Sequence, residues 1–135
     1  NLCVKGMSEA ILRSKAPKLY ISNVMTQPGE TSDYDVMDHI QAIHKHAGSD
    51  FIDYVICSND KYDDKVLERY RERNAKPVVM DEHKITDHNI RMITSSNLVE
   101  ILDDHLVRHN TKVLARLIYD LALEMTSTIQ FRPKK

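Results

Sequence analysis

The strongest constraint on this chain is an alternation of two kinds of segment. Lys18-Leu19-Tyr20-Ile21-Ser22-Asn23-Val24 and Phe51-Ile52-Asp53-Tyr54-Val55-Ile56-Cys57 are short runs rich in aliphatic and aromatic residues. Such runs, bounded by proline or turn residues, favour extended backbone. Between them Val36, Met37, Ile40, Ala42 and Ile43 recur at helical spacing, which predicts a helix over about 35–46. Ser32, Asp33 or Asp35 can cap its start and Gly48 can stop it. Strand, helix and strand in this order make a βαβ unit, whose strands run parallel because the crossover returns the chain to the same edge.

The pattern continues through the chain. Met7, Ala10 and Ile11 predict a short helix over 7–13, closed before Pro17. Val66, Leu67 and Tyr70 form the apolar stripe of a helix over about 63–73. Pro77-Val78-Val79-Met80 reads as a third strand, 81–89 as a polar loop, and Ile90-Arg91-Met92-Ile93 as a fourth strand. Val113, Leu114, Leu117, Ile118, Leu121, Ala122 and Met125 share one face of a closing helix over about 110–125. The expected fold is α/β, a mainly parallel sheet covered on both faces, and 135 residues fit one domain. Neither repeats nor linker-like composition divide it.

Charge and apolar content narrow the function. With 19 basic and 20 acidic residues, the net charge of -1 supplies no field to gather nucleic acid or an anionic membrane. The basic ending Arg132-Pro133-Lys134-Lys135 reads as a solvated tail. No apolar run reaches the roughly 18–20 residues that span a bilayer, and the N-terminus lacks the zones of a signal peptide, so a cytoplasmic protein is expected. Cys3 and Cys57 have no metal-binding spacing and sit among apolar residues, so both are expected to be reduced core residues. The chain opens at Asn1 directly in an apolar segment, which reads as a piece of a longer protein.

Open parallel sheets bind ligands beyond the carboxyl ends of their strands. The loop Met25-Thr26-Gln27-Pro28-Gly29-Glu30-Thr31 lies at such an end, between a strand and a helix. Loop amides and a helix N-terminus there can surround an anion. Pro28-Gly29 makes a tight turn in which Gly29 can take positive φ. Thr26 and Thr31 offer hydroxyls, Asn23 and Gln27 offer amides, and Glu30 can accept from a sugar hydroxyl or help hold a cation. The motif contains no lysine or arginine, so a simple turn followed by a helix start accounts for it equally well by local chemistry.

Several segments together resemble one family. Asn1-Leu2, Ser8-Glu9-Ala10-Ile11, Tyr20-Ile21-Ser22-Asn23-Val24, the string MTQPGET, Asp38-His39 and Val107-Arg108-His109 are similar, in order, to the YvcK/CofD-like family and its gluconeogenesis factor branch. The resemblance implies a longer protein with a Rossmann-like, three-layer α/β/α domain, of which residues 1–135 are the C-terminal part. The glycine-rich segment of the family's N-terminal half does not occur here.

The gluconeogenesis factor branch is associated with binding a uridine-diphosphate sugar, with growth on gluconeogenic carbon sources and with bacterial cell shape. The transferase branch moves a phospholactyl-type group from a guanosine diphosphate carrier to a deazaflavin, with magnesium. The resemblance therefore implies a nucleotide-sugar or nucleoside diphosphate ligand, the N-terminal half of the same protein as partner, and scope for a homo-oligomer. Carried over by position, Asn23, Thr26, Gln27, Gly29, Glu30 and Thr31 are the expected ligand-lining residues. Asp38, His39 and Arg108 are expected to support them.

The other histidines give no pattern of their own. His39, His44 and His46 lack the i, i+4 spacing of a helical metal pair, and His83 and His88 sit in an acidic segment without a ligand motif. His105 and His109 are four apart but fall in different environments, so solvated roles are expected. Arg108-His109 either ties the last helix to its neighbours or presents Arg108 to ligand or subunit charge, which a planar guanidinium suits. No metal site and no catalytic constellation is assigned.

Overall fold

The computed structural model describes residues 2–102 and 104–130. Its elements are α1 (Met7–Arg13), β1 (Leu19–Ile21), α2 (Val36–Ala47), β2 (Tyr54–Ser58), α3 (Asp64–Arg71), α4 (Glu82–Thr86), β3 (Arg91–Ser95), β4 (Val99–Ile101), β5 (Val107–His109) and α5 (Thr111–Gln130). Asn1 and the basic ending Arg132–Lys135 lie outside the described residues.

The fold is α/β, as expected. Strands β1, β2 and β3 form a parallel sheet in that order, with Ile21 opposite Ile56 and Ile56 opposite Ile93. Side chains alternate across a strand. Val55 and Cys57 of β2 therefore share one face, where Val36, Met37 and Ile40 of α2 and Ile85 of α4 bury against them. Ile40 is completely buried, and its truncation to alanine is worth about 2–5 kcal/mol. A second cluster joins Met25, Val66 of α3 and Val107 of β5.

Helix α2 starts where its sequence allows. Asp35 caps it, its carboxylate accepting from Asp38 N at 2.8 Å while Asp38 Oδ2 accepts from Asp35 N at 3.0 Å. Gly48 ends it with φ +75°, a left-handed conformation that favours glycine. Lys84 of α4 seals this start, its Nζ donating to Asp35 Oδ2 at 2.6 Å and lying 3.6 Å from Asp38 Oδ1. Burial raises the Asp35 pKa, but the hydrogen bonds from Lys84 and the Asp38 amide outweigh it and the net shift is downward.

Several expectations need correction. Pro77–Met80 is not a sheet strand: Pro77 makes an isolated antiparallel bridge to Met25, and Val78 N donates to Val24 O at 3.1 Å. The segment runs antiparallel beside residues 24–26, beyond the end of β1, and Val79 is 60% exposed. The expected loop 81–89 contains α4, capped by Asp81, whose carboxylate accepts from Lys84 N. Its one buried apolar residue, Ile85, gives too little periodicity to announce a helix.

Phe51 and Ile52 precede β2 because their amides donate to His44 Nε2, at 3.3 and 3.2 Å, rather than to a neighbouring strand. Strands β4 and β5 pair antiparallel, and three residues each are too short for a visible alternation. Cys57 is buried as expected, whereas Cys3 is exposed in the turn-forming segment before α1 rather than in the core.

Candidate functional site

The parallel strands β1 and β2 end side by side, held by Ser22 N donating to Ile56 O at 3.0 Å. Beyond them the chain opens a cavity of 250 Å³ lined by Ser22, Asn23, Ser58, Asn59, Asp60 and Tyr62 among others. A second cavity, of 240 Å³, lies on the other side of the same segment and is lined by Asn23, Thr26, Gln27, Tyr70, Arg108 and His109 among others. Asn23 and Val24 border both. The two cavities thus flank one short piece of backbone at the carboxyl edge of the sheet, where an open α/β fold places its ligands.

The motif loop is closed upon itself. Thr26 N donates to Lys76 O at 2.8 Å, and Thr26 Oγ1 accepts from Lys76 N at 3.0 Å. Gln27 N donates to Thr31 Oγ1 at 2.9 Å, and Gly29 N to Ser32 Oγ at 3.0 Å. The amides of Glu30 and Thr31 donate to Gln27 O. Gly29 has φ +80°, which the turn requires. Every amide from Thr26 to Thr31 is therefore engaged, Pro28 having none. The α2 N-terminus is likewise filled by Asp35 and Asp38. The amides of the motif loop are thus taken up within the fold rather than left open as the cradle expected from the sequence.

The nine expected residues separate into groups. Asn23, Thr26, Gln27 and Arg108 come together around the second cavity. Thr26 is 3% exposed and its hydroxyl is committed to Lys76, so it shapes the wall. Gly29 and Glu30 stand exposed at the loop tip, and Thr31 folds back on Gln27; none of the three lines either cavity. Asp38 serves the helix cap. His39 is buried behind Asn23, with Nε2 3.5 Å from Asn23 Nδ2.

Arg108 is placed by the ribbon. On β5 Val107 points inward and is 3% exposed, and its amide donates to Tyr70 Oη at 2.9 Å. Alternation turns Arg108 outward to the cavity, opposite Glu100 on β4, and among the described residues no carboxylate lies within ion-pair distance of it. His109 is half-buried rather than solvated. Its Nε2 lies 3.1 Å from Ser22 O, a carbonyl that can only accept, so this nitrogen carries the proton and ties β5 to the end of β1.

Asp60, Ser58 and Tyr70 were not singled out from the sequence. Asp60 Oδ1 accepts from Asn97 N at 2.6 Å, while Oδ2 accepts from Ser58 Oγ at 2.7 Å and Val99 N at 3.1 Å. The available signal was Ser58-Asn59-Asp60 directly after a buried strand, the same position relative to β2 that Asn23 holds to β1. Among the described residues no group of three or more His, Cys, Asp or Glu is placed to hold a metal ion.

A parallel α/β sheet covered by helices, with two cavities at its carboxyl edge, places the chain in the Rossmann-like fold class. Residues 1–98 match the family model described as 2-phospho-L-lactate transferase CofD, and the chain belongs to that family. It is 38% identical over 130 residues to the gluconeogenesis factor of Halalkalibacterium halodurans, covering 96% of this chain and 40% of the relative. It is 35% identical over 124 residues to the gluconeogenesis factor of Bacillus subtilis, covering 92% of this chain and 38% of the relative. A crystal structure of a UPF0052 family member from Bacillus halodurans superposes with a TM-score of 0.81 at 39% identity, over 87% of this chain and 37% of that one. The chain thus spans about two fifths of the length of these relatives. No described helix is long and apolar enough to cross a membrane.

Proposed function

We propose that this chain forms one wall of a cleft that binds a uridine-diphosphate sugar in a cytoplasmic regulatory factor linked to gluconeogenic growth and bacterial cell shape. The observation that carries the reading is Arg108. It is a guanidinium with no carboxylate within ion-pair distance among the described residues, and it faces a cavity with Gln27 and Asn23 at the carboxyl edge of a parallel sheet. A diphosphate supplies the charge this fork suits, and the neighbouring amides suit sugar or base. The names of the two gluconeogenesis factors support the metabolic setting. The remainder of the longer polypeptide is the partner that completes the cleft, with further assembly as a homo-oligomer.

The test is calorimetric titration of the full-length polypeptide with UDP-glucose. Saturable binding that weakens at least about tenfold in Arg108→Ala, with the fold intact by circular dichroism, supports the reading. Unchanged affinity removes Arg108 from the site, and absence of binding in the wild type overturns the proposal.

A second reading is a phospholactyl-type transferase using a nucleoside diphosphate carrier in deazaflavin coenzyme synthesis, with magnesium brought by the substrate. The match to the transferase family model favours it. Product formed from a guanosine diphosphate donor and a deazaflavin acceptor in the presence of magnesium would establish it.

A further inference from the structure

His39 is a buried histidine whose two ring nitrogens have different and fixed tasks. Nδ1 lies 2.8 Å from the Asp35 carbonyl oxygen, which can only accept, so Nδ1 carries the proton. In the neutral ring Nε2 is then an acceptor, and it faces Asn23 Nδ2 at 3.5 Å. Tyr34 packs against the imidazole edge-on, with ring centroids 5.2 Å apart, and closes its other side. The Asn23 backbone is held as well, since Ser22 Oγ donates to its carbonyl at 3.0 Å.

These contacts orient a side chain that is itself exposed and borders both cavities. A free carboxamide can rotate to exchange its oxygen and nitrogen, and so can read either polarity of a donor–acceptor pair. An acceptor-only imidazole nitrogen behind it removes that freedom, because only Nδ2 can face Nε2. One N–H is then committed to His39, and the other N–H and Oδ1 remain as a donor and an acceptor side by side.

We propose that His39 is a positioning residue that fixes the Asn23 carboxamide, and that Asn23 thereby selects ligands presenting a lactam edge, a ring N–H beside a carbonyl, as in uracil and guanine. Asn23 Oδ1 accepts from the ring N–H and Nδ2 donates to the carbonyl. Cytosine presents the reverse polarity at the same edge, an acceptor nitrogen beside an amino group, and meets Asn23 donor against donor. The inference rests on the proposed nucleotide-binding reading, whose ligand class it makes more specific.

Titration of the full-length polypeptide with UDP and CDP, which differ only at that edge, tests the selection. The wild type prefers UDP by roughly tenfold or more, the order expected for one bidentate contact. His39→Leu brings the ratio close to one, and His39→Gln, which retains an acceptor, keeps a preference. Asn23→Asp, at an exposed position that does not threaten folding, also loses it.

A wild type that binds both equally overturns the selection, and a ratio unchanged in His39→Leu overturns the positioning role. Failure to bind either nucleotide defeats the nucleotide-binding reading and the base selection together. The positioning role then stands or falls on ligand-free protein. One Asn23 side-chain amide proton, seen by NMR, exchanges slowly in the wild type and rapidly in His39→Leu. Two rapidly exchanging protons in the wild type refute it.

Discussion

Thr26 and Lys76 are joined by two reciprocal hydrogen bonds across 50 residues of chain. The Thr26 amide donates to Lys76 O, and the Lys76 amide donates to Thr26 Oγ1. A motif threonine that reads as a ligand donor is thus a clasp holding the loop against the segment that begins at Lys76. Because Thr26 is buried, Thr26→Val keeps the shape but leaves the Lys76 amide without an acceptor. This costs about 1–3 kcal/mol. Thr26→Ser keeps the hydroxyl and loses one methyl, about 1 kcal/mol. Urea unfolding of both variants checks the order, and a valine variant as stable as wild type would show that water serves the Lys76 amide.

What could be read in advance divides by range. Helix α2 and the run around β2 announced themselves through sets that are buried, such as Val36, Met37 and Ile40, while α1 and α3 were legible from spacing although α1 buries none of its residues and α3 only Val66. The parallel arrangement followed from their alternation. The role of Pro77–Met80 was not legible, because an apolar tetrapeptide has the same pattern whether it pairs within a sheet or lies beside a loop beyond its end. Within the site, the nearness of Arg108 to Gln27 depends on β5 packing through Val107 and Tyr70, a contact between distant segments that no local spacing encodes.

Asp60 holds the β4–β5 ribbon to the end of β2 through one carboxylate. Burial alone would raise its pKa. Hydrogen bonds from Ser58 and the amides of Asn97, Val99 and Leu98 outweigh this and hold the carboxyl below its ordinary 3.8. Its contribution to stability is present above that ordinary value and is lost as the pH falls through the lower folded value. Asp60→Asn replaces one acceptor oxygen with a donor facing donors, at a cost of about 1–3 kcal/mol. Hydrogen exchange at the Asn97 and Val99 amides should accelerate in this variant more than exchange in β2. Uniform acceleration would mean that the carboxylate supports the whole domain instead.

The two cysteines should separate cleanly in thiol titration. Cys3 is exposed, while Cys57 is buried and burial pushes its thiol up to about 11. Thiolate is the reactive form, so at neutral pH Cys57 is doubly protected, by access and by protonation. Ellman's reagent should label one thiol rapidly in the folded chain and the second only in denaturant. Rapid labelling of both would show that the sheet face under α2 opens readily.

His44 gives the pH dependence near neutrality. Its Nε2 accepts from the amides of Phe51 and Ile52, and its Nδ1 lies 3.0 Å from Asp50 Oδ1, to which it donates. Protonating Nε2 would place a donor against two donors. Burial lowers the pKa from its ordinary 6.5, Asp50 opposes this, and His88 adds to the lowering. The folded state therefore binds fewer protons than the unfolded state between the two pKa values, and stability rises with pH across that interval. Stability should be full above about 6.5 and should decline as the pH falls from there towards the lower folded value. His44→Gln, whose amide oxygen can accept from the same backbone amides without titrating, should remove this dependence while leaving that of Asp60 at lower pH. Urea unfolding of wild type and variant at pH 7 and pH 5 measures the His44 dependence. A wild type equally stable at the two values, or a glutamine variant with the same slope, would show that the histidine keeps its proton balance on folding.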